Sequence, residues 1–442
     1  MPSGEIAAET IAAVATAAGR GGIGVVRVSG PKVPAIAEAV IGRLPESRMA
    51  LHCFFRDAHG ERIDEGVALY FKAPRSYTGE EVLELQGHGG PVVMHAVLEA
   101  VLDAGARLAG PGEFTRRAFL NGRLDLAQAE AVSDLIDAAS REAARSALRS
   151  LGGDFSAVIA GLVAGLTELR ALTEAMLDFP DEELDLLHRD DASRRLAQLC
   201  AALEDVMAKS RQGSLLRTGI HAVLAGRPNV GKSSLLNRLA GVERAIVTAV
   251  PGTTRDALRE AIQIDGVPIV VVDTAGLRES QDEVERLGME RTRQEMERAD
   301  LLIVILEAGK LEAPQGPLPE AGMRLTVVNK IDLVSGAVAG KRGNEIHVSA
   351  KTGAGIDALR AAVLEAAGWT GHGETVFLAR ERHLRALGTA RVHLEAAAAQ
   401  VARWELFAEE LRVAQEALGE ISGRVGADDL LGAIFSRFCI GK

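Results

Sequence analysis

The residues Gly226-Arg-Pro-Asn-Val-Gly-Lys-Ser233 have the types and the spacing of a loop that binds the phosphates of a nucleotide. In such a loop the glycines let backbone N–H groups point toward the phosphates, Lys232 can reach the β and γ phosphates, and the Ser233 hydroxyl can ligate Mg²⁺. A short apolar stretch at residues 221–225 precedes the loop, and residues 234–240 follow it with helical periodicity. This is the strand–loop–helix order that the motif requires, so the sequence predicts a site for a nucleoside triphosphate.

Two later segments predict which base this site binds. Asn329-Lys-Ile-Asp332 follows an apolar stretch at residues 325–328, and Ser349-Ala-Lys351 follows another at residues 346–348. The Asp332 carboxylate can accept hydrogen bonds from the ring N–H and the exocyclic amine of guanine. Adenine has no such pair of donors at that edge and would leave the carboxylate unpaired. Because Ser349-Ala-Lys351 is the usual companion that closes over guanine, the order of these segments predicts GTP.

Two candidate switch segments lie between these motifs. Asp273-Thr-Ala-Gly276 follows an apolar stretch at residues 269–272, which brings a carboxylate near Mg²⁺ and a glycine N–H near the γ phosphate. Pro251-Gly-Thr-Thr-Arg-Asp256 contributes a threonine hydroxyl to the metal shell, and loss of the γ phosphate would release both segments. In Ras-type enzymes a glutamine that positions the attacking water comes next, but this chain has Leu277 there. The nearby polar residues that could replace it are Arg278, Glu279, Asp282, Glu283 and Glu285, and the sequence alone leaves this choice open.

Composition indicates an intracellular enzyme with several domains. The chain has 442 residues and an apolar content of 47%, enough for roughly two to three domains with real cores. Its three cysteines, Cys53, Cys200 and Cys439, include no C-x-x-C pair, which favours a reducing compartment over a disulfide scaffold or a zinc site. The N-terminal segment lacks a basic start, and the longest apolar run, near residues 157–166, is too short to cross a bilayer. We therefore expect a cytoplasmic protein that does not bind a membrane.

The net charge of −11 limits how the chain can bind nucleic acid. Non-specific binding depends on cationic side chains that replace the counterions of the phosphates, and an acidic chain disfavours it. We therefore expect any contact with RNA to be local or shared with a partner.

The residue composition and the spacing of apolar residues change twice along the chain. Residues up to about 120 mix short apolar runs at 23–28, 67–71 and 82–85 with glycine and proline turns, which predicts an α+β domain. Residues 124–208 and 375–418 are rich in Ala, Leu, Glu and Arg with helical spacing, interrupted once by Phe179-Pro-Asp181. Between these two stretches, residues 218–370 alternate strands with helices. The pattern predicts a helical bundle with a complete α/β domain inserted in it.

Five segments outside the nucleotide motifs carry a family resemblance. They are Arg20-Gly-Gly-Ile-Gly-Val-Val-Arg-Val-Ser-Gly30, Ser76-Tyr-Thr-Gly-Glu80, Gly87-His-Gly-Gly90, Pro111-Gly-Glu-Phe-Thr-Arg-Arg-Ala-Phe-Leu-Asn-Gly-Arg-Leu-Asp-Leu-Ala-Gln-Ala-Glu130 and Phe438-Cys-Ile-Gly-Lys442. Together with the nucleotide motifs they resemble the MnmE family of tRNA modification GTPases, also called TrmE, over nearly the whole chain and in order. One departure is Ala17-Ala18, where the family usually has two prolines that stiffen a turn.

The resemblance implies a multidomain fold with α/β and α+β parts. An N-terminal α+β domain at residues 1–121 would bind tetrahydrofolate and dimerise. An α-helical bundle domain would consist of residues 122–215 and 373–442, the second part including the C-terminal Phe438-Cys-Ile-Gly-Lys442 motif. A Ras-like P-loop GTPase domain with a mostly parallel sheet would be inserted at residues 216–372.

The resemblance also implies a function and a second ligand. Family members work with a flavoenzyme, MnmG (GidA), in a heterotetramer or larger complex, and add a carboxymethylaminomethyl or aminomethyl group to C5 of the wobble uridine of certain tRNAs. The one-carbon unit comes from 5-formyl- or 5,10-methylene-tetrahydrofolate, with folate contacts implied at Arg27, Glu84, Arg123 and Lys442. A pterin presents a donor-rich edge to a carboxylate, and its glutamate tail presents carboxylates to basic side chains. Arg123 stands where some relatives have Lys, which keeps the charge and changes its geometry.

In this family, hydrolysis depends on K⁺ and on dimerisation of the GTP domains. The resemblance implies K⁺ ligands at Asn229, through its side chain, and at Thr248, Val250 and Thr253, through their carbonyls. A cation there stabilises charge that grows between the β and γ phosphates, as an arginine finger does in other GTPases. The family's water-positioning acid matches Glu285, the expected catalytic residue, acting through a bridging water.

The expected GTP site combines the phosphate loop, both switch segments and both guanine-recognition segments. Its residues are Asn229, Val230, Gly231, Lys232, Ser233, Ser234, Thr248, Ala249, Val250, Pro251, Gly252, Thr253, Thr254, Asp273, Thr274, Ala275, Gly276, Asn329, Lys330, Asp332, Ser349, Ala350 and Lys351. Ser233 and Thr254 are the expected Mg²⁺ ligands.

Two other interpretations share these motifs. A regulatory, RNA-associated GTPase such as a ribosome-assembly factor has the same nucleotide motifs, but such proteins typically carry a basic RNA-binding module, and this chain is acidic. The second interpretation is a folate-binding protein whose GTP domain only reports the nucleotide level. Cys439 in the C-terminal motif is better explained as a small buried apolar residue than as a nucleophile, so it is not among the expected catalytic residues.

Overall fold

The computed structural model describes residues 9–178, 185–241, 259–273, 299–310, 323–371, 376–401, 403–423, 428–436, 438 and 441. The chain divides into two compact units. One consists of Met1–Ser133 and Gly419–Lys442, and the other of Asp134–Leu418.

The first unit is built on a six-stranded sheet in the order β3-β4-β5-β2-β1-β6. Its strands are β1 (Ile11–Val14), β2 (Gly21–Ser29), β3 (Leu51–Arg56), β4 (Arg62–Phe71), β5 (Val82–Gly89) and β6 (Arg107–Leu108). Neighbouring strands are antiparallel except β1 and β6, which are parallel. The apolar runs at 23–28, 67–71 and 82–85 lie in β2, β4 and β5, as their composition predicted.

Helices pack against this sheet and bury its apolar side chains. Helix α1 (Val33–Ile41) and helix α2 (Pro91–Asp103) contribute Ile36 and Val97 to a core that contains Val28 and Leu85 of the sheet. Helices α3 (Glu113–Leu120) and α4 (Leu126–Ile136) follow.

The C-terminal helix, Asp428–Phe435, belongs to the same unit. Leu431, Phe435 and Phe438 form a buried cluster with Leu126 of α4, and Phe119 of α3 packs against it. Phe438, the first residue of the C-terminal motif, is therefore anchored on α3 and α4 by apolar contacts. This accounts for a phenylalanine at its first position, since a buried aromatic ring supplies a large apolar area.

The second unit begins with three helices, α5 (Arg141–Gly152), α6 (Asp154–Asp178) and α7 (Asp185–Thr218). Ser140 caps α5, since its hydroxyl accepts a hydrogen bond from the backbone N–H of Ala143 at 3.1 Å. Helix α6 ends at Asp178, two residues before Pro180, and the residue that precedes a proline disfavours helical backbone angles.

Helix α6 is longer than the apolar run that it contains. An 18-residue stretch within Asp154–Leu177 has a mean hydropathy of 1.5, and 28% of that stretch is buried, so the helix could cross a membrane by length and composition alone. Core helices of soluble proteins pass the same test. Phe155, Leu162 and Leu169 on one face of α6 are buried, as expected for a helix packed in a bundle.

An α/β domain follows α7 and contains a seven-stranded sheet in the order β12-β13-β11-β10-β7-β9-β8. Its strands are β7 (Ile220–Gly226), β8 (Arg259–Ile264), β9 (Val267–Asp273), β10 (Leu301–Glu307), β11 (Met323–Asn329), β12 (Gly340–Arg342) and β13 (Glu345–His347). The strands β9, β7, β10, β11 and β13 are parallel, and only the outer pairs β8–β9 and β12–β13 are antiparallel. Helices α8 (Lys232–Ala240) and α9 (Ile356–Ala366) belong to this domain, which confirms the predicted P-loop fold with a mostly parallel sheet.

The chain then returns to the helical part of the second unit. Helices α10 (Glu381–Ala398) and α11 (Trp404–Ser422) follow, and the C-terminal helix Asp428–Phe435 is α12. The α/β domain is thus inserted between α7 and α10, as the changes in composition and spacing along the sequence predicted.

The places where the chain enters and leaves the α/β domain lie side by side. A Cβ atom added at Gly213 of α7 would lie 1.7 Å from the carbonyl oxygen of Phe377, so only glycine permits this approach. The Ser146 hydroxyl of α5 donates to the carbonyl of the preceding Val376 at 2.8 Å. Gln212 of α7 donates to the carbonyl of Gly368 at 2.6 Å and accepts from the N–H of Thr370 at 3.0 Å. The exit of the inserted domain is therefore fastened to α5 and α7, next to its entry.

Candidate functional site

The predicted phosphate loop joins β7 to α8, and its conformation fits phosphate binding. Asn229 and Gly231 have positive φ angles of 63° and 98°. Glycine adopts such angles without a steric penalty, and asparagine adopts them more readily than most other residues. Lys232, the first residue of α8, is buried, and its Nζ donates to the carbonyl of Gly226 at 2.9 Å. Ser233 and Ser234 follow it on the exposed side of the first turn. Since the first backbone N–H groups of a helix attract anions, this arrangement of loop and helix is suited to binding phosphate.

Asn329, at the end of β11, connects this loop to residues 349–351, the second of the predicted guanine-recognition segments. Its side chain is only 1% exposed. The amide Nδ2 donates to the carbonyl of Val230 at 2.9 Å, and Oδ1 accepts from the N–H of Ala350 at 3.0 Å. One buried side chain thus holds two loops that are distant in sequence, and each of its polar atoms has a partner.

The base end of the cleft is arranged around Asp332. The buried Ser349 hydroxyl donates to Asp332 Oδ1 at 2.6 Å and accepts from the N–H of Thr352 at 3.2 Å, which orients the exposed carboxylate. Lys330 donates to Glu307 at the end of β10, at 3.0 Å. Hydrogen bonds from Lys330 and Lys310 lower the pKa of the Glu307 carboxyl.

A cavity of about 910 Å³ lies between these elements, within the range found for ligand pockets. It brings together seven of the residues predicted from sequence, Gly231, Ser234, Asn329, Lys330, Asp332, Ala350 and Lys351. It is also lined by Asn237, Arg238, Gly241 and Leu333, which the motifs did not indicate. Asn237 and Arg238 lie four and five residues beyond the loop on α8, and their place on this helix was the only signal that the sequence offered.

Several predicted site residues lie outside the described part of the chain. They are Thr248, Ala249, Val250, Pro251, Gly252, Thr253, Thr254, Thr274, Ala275, Gly276, Glu285 and Lys442, together with Leu277, the alternatives Arg278, Glu279, Asp282 and Glu283, and Cys439. The backbone of Asp273 is described, and it pairs with Leu224 in the β7–β9 ladder, two residues before the phosphate loop begins. The predicted Mg²⁺, K⁺ and switch roles stay predictions.

Arg27 and Glu84, two of the predicted folate contacts, lie opposite each other on β2 and β5. Both Nε and Nη2 of Arg27 lie 3.0 Å from Oε1 of Glu84. The guanidinium carbon also lies 5.4 Å from the ring centre of Tyr77 and 5.8 Å from that of Phe114. The pair is 23% and 17% exposed, so a ligand could reach both charges beside two aromatic rings.

Arg123 and the C-terminal motif lie against other parts of the same unit. Arg123 is exposed, and its Cγ would lie 3.2 Å from a Cβ added at Gly79, in the 76–80 loop that also carries Tyr77. Gly441 contacts Val14 at the end of β1, where an added Cβ would lie 2.3 Å from the Val14 carbonyl oxygen. Arg27 and Arg123 thus border one loop.

A buried charge network that the sequence did not predict supports this loop. Arg117 of α3 is 2% exposed and donates to Glu80 Oε2 and to Glu113 Oε1, each at 3.0 Å. Ser29 also donates to Glu80 Oε2, at 2.7 Å. Burial raises the pKa of the Glu113 carboxyl, but hydrogen bonds from Arg107, the backbone of Gly110 and Arg117 outweigh it and lower that pKa to about 2. The motif that includes residues 111–117 indicated a family, but the sequence did not show which residues its charged side chains would pair with.

His88, in the glycine-rich segment at residues 87–90, forms a second polar pair. Its Nδ1 lies 2.7 Å from Oδ1 of Asp64, and its backbone N–H donates to Oδ2 at 2.8 Å. The hydrogen bond and the charge of Asp64 raise the pKa of His88. Burial raises the pKa of Asp64, but the hydrogen bonds from His88 outweigh it and lower that pKa.

Comparison with known proteins shows similarity along nearly the whole chain. A family model described as the MnmE helical domain matches residues 126–439, and one described as the GTP-binding protein TrmE N-terminus matches residues 10–123. A tRNA modification GTPase MnmE from Thiobacillus denitrificans is 60% identical over 439 residues, which cover 98% of each chain. A protein of the same name from an Azoarcus species is 58% identical over 449 residues, again 98% of each chain. Among solved structures, the G domain of the T. maritima FeoB iron transporter is 21% identical, covers 34% of this chain and 98% of that chain, and has a TM-score of 0.24.

Proposed function

This chain belongs to the MnmE family of tRNA modification GTPases, and from this premise we propose that it hydrolyses GTP as part of tRNA modification. Family membership confirms the resemblance that the sequence motifs indicated. The structural observation that best supports the proposal is the position of Asn329, which holds the phosphate loop and the guanine-recognition segment on one cleft.

The described residues can bind both ends of GTP. Lys232 and the N-terminus of α8 would hold the phosphates, while Asp332, oriented by Ser349, would accept hydrogen bonds from the guanine ring N–H and amine. The exposed Ser233 hydroxyl, with Thr254, would hold Mg²⁺, which neutralises phosphate charge when bound. Adenine would leave the oriented carboxylate unpaired, which gives selectivity for guanine.

We further propose that K⁺ assists hydrolysis in place of a glutamine. Asn229 is exposed on the phosphate loop, where its amide oxygen can act as a ligand together with the carbonyls of Thr248, Val250 and Thr253. A cation at this position stabilises charge that develops between the β and γ phosphates. Glu285 would position the attacking water, because Leu277 cannot do so.

The half-buried pair in the first unit supports a tetrahydrofolate site. Glu84 would accept hydrogen bonds from the pyrimidine edge of the pterin, and Arg27, held by Glu84 and two aromatic rings, would keep a positive charge beside it. Arg123 and Lys442 would bind the carboxylates of the glutamate tail. In this proposal 5-formyl- or 5,10-methylene-tetrahydrofolate supplies one carbon to C5 of the wobble uridine.

The proposed assembly is a cytoplasmic homodimer that works with the flavoenzyme MnmG on tRNA. GTP and K⁺ would bring two GTP domains together, and hydrolysis would separate them. Since the inserted domain is fastened to α5 and α7, a movement of this domain would act on the helical part of the second unit.

The rate of GTP hydrolysis in K⁺ and in Na⁺ at equal ionic strength tests the cation proposal. We expect a large stimulation by K⁺ in the wild type and its loss in Asn229→Ala. Equal rates in both salts would show that hydrolysis proceeds by another route, even though the family assignment would stand.

Reconstituted modification of tRNA with the flavoenzyme tests whether GTP hydrolysis and folate binding are both needed for modification. We expect Glu285→Ala to lose GTP hydrolysis and modification while it retains folate binding. We expect Arg27→Ala to lose folate binding and modification while it retains GTP hydrolysis. A protein that hydrolyses GTP but supports no modification under any condition would favour a regulatory, RNA-associated GTPase.

A further inference from the structure

Arg238, in the last turn of α8, has contacts that the proposed function does not explain. Its Nε donates to the carbonyl of Ala350 at 3.1 Å, and its Nη2 donates to the carbonyl of Lys351 at 2.7 Å. A guanidinium group presents several donors in one plane, so it can bind two neighbouring carbonyls at once. The same side chain lines the nucleotide cavity beside these two residues.

These hydrogen bonds complete a closed path of contacts around the base end of the cleft. Asn329 binds the carbonyl of Val230 in the phosphate loop and accepts from the N–H of Ala350. The carbonyl of Ala350 accepts from Arg238, and α8 leads from Arg238 back to the phosphate loop. Ala350 is therefore held through both its N–H and its carbonyl.

We propose that Arg238 is a positioning residue for guanine recognition, which acts by holding the 349–351 loop on the helix that carries the phosphate loop. This inference deepens the proposed GTPase function and rests on it. Without Arg238 the exposed Lys351 carbonyl can bond to water, and Ala350 keeps the hydrogen bond from its N–H to Asn329, so the domain stays folded. The loop then has more freedom, and guanine binding must supply the cost of ordering it.

The phosphate end of the cleft should not share this effect. Lys232 and Ser233 lie at the opposite end of α8 from Arg238, and Lys232 is held by Gly226. Loss of Arg238 should therefore weaken binding of the base and leave binding of the phosphates unchanged. Lysine cannot replace arginine fully, since one ammonium group cannot match two carbonyls with the same planar geometry.

The experiment measures dissociation constants of the full chain by calorimetry for GDP, for ADP and for pyrophosphate, which occupies only the phosphate end. We expect Arg238→Met to weaken GDP binding about 10- to 100-fold and to change pyrophosphate binding less than about twofold. Arg238→Lys should fall between the wild type and Arg238→Met for GDP.

A matched control uses Arg360 of α9, whose Nη2 donates to the carbonyl of Leu239 at 3.0 Å and so ties the same end of α8 to another helix. Arg360→Met should change the GDP constant less than about twofold. Equal losses for GDP and pyrophosphate in Arg238→Met, an unchanged GDP constant, or the same loss in Arg360→Met would each overturn the proposal. A wild type that binds ADP as well as GDP would instead overturn guanine specificity, and with it both the inference and the proposed function.

Discussion

Arg27 and Glu84 occupy directly opposed positions of neighbouring antiparallel strands, with two guanidinium nitrogens each 3.0 Å from the same carboxylate oxygen. Both of these contacts use Oε1, so neither occupies the second carboxylate oxygen, and the Glu84 side chain is 17% exposed. The pair therefore combines a fixed positive charge with an oriented acceptor. That combination suits a pterin, which carries donors on one edge.

Glu84→Gln should abolish most folate binding because an amide cannot supply the charged acceptor. We expect at least a tenfold weaker dissociation constant for 5-formyltetrahydrofolate, measured by calorimetry, with GTP hydrolysis unchanged. Glu99→Gln on the exposed face of α2 is the matched control and should bind folate as the wild type does. Wild-type folate affinity in Glu84→Gln would place the folate site elsewhere.

Asn329→Asp should damage the nucleotide cleft although it hardly changes the shape of the side chain. The carboxylate can still accept from Ala350, but it cannot donate to the carbonyl of Val230, and two oxygen atoms would then face each other. We expect a loss of about 2–3 kcal/mol in GTP binding, roughly 30- to 150-fold, measured by calorimetry. The same substitution at Asn344, in the exposed turn between β12 and β13, should have little effect, and equal affinities for both variants would contradict the bridging role.

Arg117→Met should destabilise the first unit because it leaves the half-buried carboxylates of Glu80 and Glu113 without a shared partner. Removal of one member of a buried ion pair typically costs about 3–5 kcal/mol. Hydrogen exchange of peptides from α3 should therefore become much faster. The adjacent, more exposed Arg116→Met is the control, and similar exchange in both variants would show that the network contributes little.

The pair of His88 and Asp64 predicts a pH dependence that NMR can follow. The raised pKa of His88 stabilises the fold below the ordinary histidine value, and this contribution is lost as pH rises through the raised pKa. The lowered pKa of Asp64 means that this carboxylate stabilises the fold above the ordinary carboxyl pKa. That stabilisation is lost as pH falls through the lowered pKa. The pair should be most favourable between about pH 4 and 6.5. Asp64→Asn should return the His88 titration toward lower pH, and an unshifted titration would show that Asp64 is not its cause.

Short segments that form their own backbone geometry were predictable from the sequence. The phosphate loop at residues 226–233 carries its glycines at the positions where the chain turns, and Asp332 and Ser349 follow apolar stretches that became strands. The contacts that join these segments were not predictable. Arg238 and Ala350 are 112 positions apart, and periodicity identifies a helix face without identifying the residue that it meets.

The same limit applies in the first unit. Arg27 and Glu84 are 57 positions apart, and they face each other only in this strand register. A shift of the pairing by one residue would place their side chains on opposite faces of the sheet. Arg117 is charged and yet 2% exposed, and burial of a charge depends on partners gathered from other elements. Local composition therefore could not distinguish this arginine from a surface residue.

The close approach of Gly213 to Phe377 couples the stability of the bundle to folding of the domain inserted in it. A disordered insert on the order of 150 residues would have to bring its two ends together at an entropic cost of about 4–5 kcal/mol. A folded insert already holds its ends together, so this cost disappears from the assembly of α5, α7 and α10. GTP or GDP, by binding only the folded insert, should therefore raise the melting temperature of helices that never touch the nucleotide. Nucleotide supply in the cell then acts on the lifetime of the whole second unit as well as on its catalytic cycle.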